Sequence, residues 1–218
     1  MTTEFSQTTL REQLEQRKQQ GAAKTPPEVT ALRKAETEKL IASGIAKQSL
    51  HEGDLAPDFT LPDANGQPVS LAVLRQKGPV VVTFYRGSWC PYCNLQLRAY
   101  EAIFPKIREA GATLVAISPQ TPEASTEIID KGSLKFLVLS DVGNQVARGY
   151  RLVFVLPEVL RPYTANLPQS NADETWELPM PGTFVIGADG VIRLSFVHPD
   201  YTKRLEPSDI LAALEQRP

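Results

Sequence analysis

The first part of the chain shows hydrophobic and polar positions at helical spacing, but it holds few apolar residues. Residues 1–24 are rich in Gln, Glu and Arg, with Leu10 and Leu14 one helical turn apart. Residues 25–44 carry a Pro-Pro pair near their start, a glycine at their end and a partial apolar stripe, which predicts a second helix. Two helices this polar cannot bury a core of their own. We therefore expect a helical extension over residues 1–50 that packs on the main domain or on a second subunit.

From residue 79 onward, short apolar runs alternate with helical patterns. The β-branched and aromatic runs predict buried strands, and the amphipathic segments between them predict helices. A hairpin is predicted ahead of them, at 56–71 around the turn DANG. The order β-α-β-α-β-α-β-β-α contains parallel crossovers and predicts an α/β fold, a central mixed sheet flanked by helices on both faces. Strands are expected at 79–85, 112–118, 135–141 and in a hairpin at 182–197, and helices at 95–111, 121–132, 143–152 and 206–216.

Two segments are expected to depart from this regular order. Pro105 lies inside the helical pattern at 95–111, where a proline predicts a kink or a break. Residues 155–180, rich in Pro, Asn and Leu, interrupt the alternation of strands and helices. A segment of this length is expected to be either a lid or an irregular insertion.

Composition narrows the class of protein. The chain has 218 residues, of which 42% are hydrophobic and 22% charged, as in an ordinary soluble globular protein. A net charge of −2 gives no support for nucleic-acid binding, and no apolar run is long enough to span a bilayer. The polar first twenty residues lack the apolar centre of a secretory signal. We expect a cytoplasmic protein without nucleic-acid or membrane partners.

Both cysteines of the chain lie in the stretch GSWCPYCN, residues 87–94. Cys90 follows a predicted strand, and Cys93 lies one turn into the predicted helix, with Pro91 suited to its first position. Open α/β sheets place their sites at such junctions, where free N–H groups and the helix dipole stabilise a thiolate. The spacing brings the two Cα atoms within roughly 5–6 Å, so the pair can cycle between dithiol and disulfide. Two unreactive core cysteines are the alternative interpretation, which the junction position disfavours. In a reducing compartment a close CxxC pair is more often catalytic or metal-binding than a structural disulfide.

The sequence gives little support for a bound metal ion or an organic cofactor. A structural zinc needs four ligands, and beyond the cysteines only His51 and His198 are available, both in predicted surface turns. No glycine-rich phosphate loop follows a strand. We therefore expect that no metal, flavin or nicotinamide is needed.

Three stretches resemble a known family. WCPYC after an apolar strand resembles the thioredoxin-fold active site, and residues 56–71 resemble the N-terminal hairpin of the AhpC/TSA group of peroxiredoxins. GTFVIGADGVIR is similar to the late hairpin of the same group. The resemblance covers roughly residues 53–214, within a domain placed at 51–218. It implies a thioredoxin fold, a redox-active cysteine pair, and reduction of hydroperoxides with electrons from a thiol donor such as thioredoxin or glutathione.

The resemblance leaves the roles of the two cysteines open. The peroxiredoxin pattern puts Cys93 in the peroxidatic position, with Cys90 where Thr should be and Arg86 where Pro should be. The thioredoxin pattern instead makes Cys90 the exposed nucleophile and Cys93 the buried resolving thiol. Because the dipole effect fades within the first helical turn, we expect Cys90 to have the lower pKa and the greater exposure. On that ground we favour Cys90 as the attacking thiolate.

Supporting residues are assigned by the same resemblance. Pro181 stands where peroxiredoxins usually have an Arg, and it resembles the cis-proline of thioredoxins that faces the cysteine pair. Arg86 either replaces the missing Arg or is a solvated loop charge. Trp89 resembles the tryptophan that covers the thioredoxin disulfide, or it packs at a strand end. The turn at 198–204, with one His, one Asp, one Tyr and two cations, is interpreted as a polar turn.

The sequence thus predicts a thiol-dependent peroxidase of the peroxiredoxin type that works through Cys90 and Cys93. One alternative is a thioredoxin-like protein disulfide oxidoreductase. Another is a non-enzymatic redox sensor whose N-terminal helices bind a partner. A homodimer through those helices is the oligomer we consider, while the peroxide and the reductant stay open.

Overall fold

A computed structural model describes residues 8–165 and 167–216, in which helices and strands follow the predicted order. The helices are α1 Leu10–Lys24, α2 Pro27–Ala42, α3 Leu71–Arg75, α4 Pro91–Glu109, α5 Pro122–Gly132, α6 Gln145–Gly149, α7 Leu167–Asn171 and α8 Pro207–Glu215, with 3₁₀ turns at Ile45–Gln48 and Glu158–Tyr163. The strands are β1 Thr60–Pro62, β2 Pro68–Ser70, β3 Val80–Phe84, β4 Thr113–Ser118, β5 Leu137–Ser140, β6 Val153–Val155, β7 Glu177–Pro179, β8 Gly182–Ile186 and β9 Ile192–Val197.

The central sheet has five strands in the order β5-β4-β3-β8-β9. β3, β4 and β5 run parallel, whereas β8 is antiparallel to β3 and β9 is antiparallel to β8. The predicted mixed sheet is confirmed. Its middle strand, β3, leads directly into the loop that carries the two cysteines, so that loop lies at the carboxyl end of the parallel strands.

Alternate residues along each strand face two different buried layers, as the period of a strand requires. Val81, Leu114 and Val185 pack under α1, α4 and α8 on one face. Val82 and Phe184 pack with α3 and α6 on the other face. Because both faces of these strands are buried, the strands consist of continuous apolar runs in the sequence.

Helix α4 continues through Pro105, so the prediction of a break at this position is wrong. Proline removes one main-chain hydrogen bond, a local loss. Leu97 and Tyr100 before it and Ile107 after it are fully buried against the sheet. Packing on both sides of the proline holds the helix together.

The described residues of the segment at 155–180 form an insertion with strand pairing and a small core of its own. β6 and β7 pair as an antiparallel ribbon, and Leu156, Leu167 and Leu178 form a small core of their own. Trp89, beside the cysteines, packs against this small core. The insertion therefore contacts the loop of the cysteine pair.

The N-terminal helices differ in how they pack. In α1, Leu10 and Leu14 are buried in the same layer as α4 and α8. In α2, Val29 is the one buried residue, and Arg33 donates a hydrogen bond to the carbonyl of Tyr163 in the insertion. The first helix packs on the main domain, as one of the two expectations had it. The division at residue 50 and the contact with a second subunit stay predictions.

We expect Leu14→Ala to lower the free energy of unfolding by roughly 2–4 kcal/mol, because it leaves a cavity between α1 and α4. Urea denaturation followed by circular dichroism measures this loss. Ile41→Ala is the matched control, since its side chain is 46% exposed and should change stability little. An equal loss in both variants would show that α1 does not dock on α4.

Candidate active site

The cysteine pair lies at the junction between β3 and α4. Cys90 occupies the residue just before the helix, and Cys93 lies in the first turn, with Pro91 at the first helical position. Both are free thiols, 1% and 0% exposed. The local sequence explains the geometry, because a strand followed by a short loop and a proline starts a helix at this point.

The loop ahead of the pair is held in one conformation. Gly87 has a φ of 143°, and a Cβ there would lie 2.4 Å from Nε1 of Trp89, so only glycine fits. The backbone N–H of Ser88 donates to Oε1 of Gln120 at 2.6 Å, and its hydroxyl donates to Oε2 of Glu127 at 2.6 Å. These bonds fix the residues that lead into Cys90.

Two buried arginines face the pair. Nη2 of Arg204 donates to Sγ of Cys93 at 3.6 Å. The guanidinium of Arg86 stacks on the rings of Trp89 and Tyr201, 4.9 Å and 4.6 Å from their centres. The two arginines are only 8% and 7% exposed, and neither forms an ion pair with a carboxylate among the described residues. The positive charges of these two arginines can therefore stabilise an anionic sulfur.

The sulfur of Cys93 is surrounded by groups that favour the thiolate. Burial by itself raises the pKa of Cys93, but a hydrogen bond from the thiol of Cys90, the charges of Arg204 and Arg86 and a backbone N–H of Arg86 outweigh it. Together they lower the pKa of Cys93 to about 5. The thiolate thus predominates at neutral pH.

The pKa of Cys90 is shifted in the opposite direction. Burial and the hydrogen bond to a negative Cys93 raise the pKa of Cys90 well above its usual value. The expectation that Cys90 has the lower pKa is therefore wrong, and its expected greater exposure amounts to 1% against 0%. Both sulfurs are buried, and the side chain of Arg204 reaches the second cysteine, so the nearby charges outweigh the position along the helix dipole.

The predicted supporting residues differ in burial and in what they contact. Arg86 is buried beside the pair, so it is not a solvated loop charge. Trp89 is half-buried and packs in the layer that contains both cysteines. Pro181 is buried beside the start of β8, whose Gly182 pairs with Phe84 at the end of β3.

The interpretation of Pro181 as a cis-proline needs correction. No peptide bond in the described ranges is cis, so the bond before Pro181 is trans. The chain ends the β6–β7 ribbon at Pro179 and enters β8 at Gly182, and between them the N–H of Met180 bonds to the carbonyl of Leu152. The proline lies in a connection between two strands.

Sequence reasoning missed Arg204. It lies in the turn at 198–204, which the sequence presents as an ordinary polar turn. Nη1 of Arg204 donates to the carbonyls of Tyr201 and Lys203, and Tyr201 also supports Arg86. The local sequence offers one signal for a functional arginine, two adjacent cations that follow closely after an aromatic residue. A separation of 111 residues from Cys93 hides the contact until the chain is folded.

The fold and the site together define a thiol oxidoreductase with a thioredoxin-type sheet and an activated cysteine at a helix start. The sequence profile of the AhpC/TSA family matches residues 53–195, and the chain belongs to that family. It is 33% identical over 145 residues to a chloroplastic peroxiredoxin Q of Sedum lineare, across 66% of this chain and 68% of that protein. It is also 33% identical over 155 residues to a chloroplastic peroxiredoxin Q of Suaeda salsa, across 71% of this chain and 63% of that protein.

A solved structure has the same fold. The peroxidoxin BcpB from Mycobacterium tuberculosis superposes with a TM-score of 0.61 at 24% identity, across 76% of this chain and 97% of that one. The thioredoxin fold implied by the resemblance is thereby confirmed. Family membership and the peroxiredoxin relatives confirm the prediction of a thiol-dependent peroxidase.

The cellular location of this protein does not follow from these sequence similarities. Both plant relatives described above are chloroplastic. The helices in the described part of the chain include none that is both long and apolar enough to cross a bilayer. The cytoplasmic location stays a prediction.

Proposed function

We propose that this peroxidase reduces hydroperoxides by a cycle confined to Cys93 and Cys90, with Cys93 as the attacking thiolate. The thiolate of Cys93 attacks the distal oxygen of a hydroperoxide, and the O–O bond breaks. The peroxide's own proton leaves with the alcohol or water that departs, and a sulfenate remains on Cys93. Arg204 and Arg86 stabilise the negative charge before and during this step.

Cys90 then resolves the oxidised sulfur. Cys90 is the residue just before α4 and Cys93 lies in its first turn, a spacing that allows a disulfide to close between them. The sulfur of Cys90 bonds to that of Cys93, and the sulfenate oxygen leaves as water with the proton of Cys90 and one proton from solvent. An external dithiol or two monothiols return the pair to its reduced form. A thioredoxin or glutathione type of donor fits this chemistry.

One observation carries the proposal. Nη2 of Arg204 donates to the sulfur of Cys93 at 3.6 Å, and the guanidinium of Arg86 is buried in the same site. A sulfur surrounded by donors and buried cations is stabilised as an anion and is poorly suited to remain a neutral structural thiol. This arrangement supports nucleophilic attack by Cys93 and resolution by Cys90.

One equivalent of hydrogen peroxide should convert the reduced protein into a monomer with a single Cys90–Cys93 disulfide, lighter by two hydrogens. Stopped-flow tryptophan fluorescence follows the reaction, because Trp89 packs beside the pair. Intact-mass analysis under non-reducing conditions identifies the product. A protein that accepts electrons from a thiol donor but does not react with peroxide would instead be a disulfide oxidoreductase. A disulfide between two chains would contradict the resolving role of Cys90.

A further inference from the structure

A network of buried polar side chains joins α4, one turn after Cys93, to strands β3 and β8. Nε2 of Gln96 in α4 donates to Oγ1 of Thr83 at 3.1 Å and to the hydroxyl of Tyr100 at 3.2 Å. Thr183 in β8 lies 2.9 Å from Thr83 and 3.2 Å from the same tyrosine hydroxyl. All four residues are no more than 1% exposed. A polar cluster placed between a helix and the middle of the sheet is costly unless it is satisfied.

The network extends to the loop that carries Arg204. The hydroxyl of Tyr100 donates to the carbonyl of Leu205 at 3.1 Å. A carbonyl can only accept, so the direction of this bond is fixed, and the amide of Gln96 supplies the donor that the tyrosine oxygen accepts. Leu205 directly follows Arg204, the residue in contact with Cys93.

The β9–α8 loop, residues 198–206, needs such an anchor. It contains no regular helix or strand, so main-chain pairing does not set its distance from α4. The bonds from Arg204 to Tyr201 and Lys203 lie within the loop and fix the guanidinium only relative to the loop itself. Two further contacts tie the loop to neighbouring elements. The N–H of Arg11 donates to Glu206 at the exposed surface, and the ring of Tyr201 packs edge-on against Tyr92 of α4, so the hydroxyl of Tyr100 is the buried hydrogen bond next to Arg204 itself.

We propose that Tyr100 is a positioning residue for the peroxidase reaction, whose hydroxyl holds the β9–α8 loop so that Arg204 stays in contact with the sulfur of Cys93. The inference rests on the proposed function, in which Cys93 attacks as a thiolate. Tyr100 acts on the reaction through Arg204 and touches neither the peroxide nor the reacting sulfur.

Tyr100→Phe keeps the buried ring and removes only the hydroxyl. We expect the pKa of Cys93 to rise by about one unit, because the arginine is held less firmly, which means about tenfold less thiolate at pH values below the midpoint. Iodoacetamide alkylation of Cys93 across a pH series, read by peptide mass, measures the shift. The rate constant for peroxide should fall more at pH 5.5 than at pH 8. If this variant does not fold, Tyr100→Met fills the space without a hydroxyl.

Tyr150→Phe is the matched control. Tyr150 is also fully buried, and its hydroxyl also donates to a backbone carbonyl, that of Pro57, but on the opposite face of the sheet. It should lose comparable stability and leave the pKa of Cys93 unchanged. An equal shift in both variants would mean that loosened packing is the cause, and it would overturn the proposal.

A double-mutant cycle tests the route through Arg204. In an Arg204→Gln background, Tyr100→Phe should produce no further rise in the pKa of Cys93. Additive shifts would contradict the proposed route. If wild-type Cys93 titrates with a pKa near 8.5, the proposed function fails; if its pKa is low and Tyr100→Phe leaves it unchanged, only the role of Tyr100 fails.

Discussion

Replacing Cys93 with serine should abolish peroxide reduction, with a loss on the order of 10³-fold or more, because a serine hydroxyl does not ionise near neutral pH. Cys90→Ser should still react with one equivalent of peroxide and then stop. In that variant a sulfenic acid should form on Cys93, which dimedone labels and peptide mass locates. Peroxide consumption with excess dithiothreitol measures turnover in both variants.

Serine is a conservative replacement here, since it is close to cysteine in size and can donate a similar hydrogen bond. Circular dichroism of both variants checks that the fold is kept. The assignment depends on the contrast between them. If Cys93→Ser forms the sulfenic acid on Cys90 and Cys90→Ser does not react, the thioredoxin-like order of attack is correct and ours is not.

Arg204→Gln should give the second largest effect. An opposite charge within about 4–6 Å lowers a pKa by roughly one to three units, so losing it should raise the pKa of Cys93 by a similar amount. The pKa of Cys93 is lowered in the folded protein, so its thiolate is lost only as the pH falls through about 5. In Arg204→Gln that loss moves to higher pH. At pH 6 we expect the rate constant with hydrogen peroxide to fall by roughly twofold for a one-unit rise and up to about a hundredfold for a three-unit rise, with a smaller loss at pH 9.

Lys203→Gln provides the control for net charge. Lys203 is an exposed cation in the same loop, and only its backbone carbonyl contacts Arg204. Its removal should change the pH profile little, because an exposed charge is screened by solvent. Stopped-flow rates from pH 4.5 to 9 compare the variants. Parallel profiles for Arg204→Gln and wild type would show that Arg204 does not stabilise the thiolate.

Local patterns were enough to predict the architecture and the place of the cysteine pair. The apolar runs at 79–85 and 112–118 became adjacent parallel strands, because a strand buried on both faces requires such a run. Pro91 and the preceding strand located the helix start, which set Cys90 before the helix and Cys93 in its first turn. These features depend on residues close together in sequence, where spacing alone determines which side chains share a face.

The tertiary structure decided which sulfur is activated. Arg204 is 111 residues from Cys93, and its reach to that sulfur depends on how the β9–α8 loop packs against α4. Long-range packing likewise carried α4 through Pro105 and paired β6 with β7. The sequence by itself determined that a cysteine pair lies at a helix start, since this is a local property. The pKa order of Cys90 and Cys93 depends on burial and on charges from distant segments, and these exist only once the chain has folded.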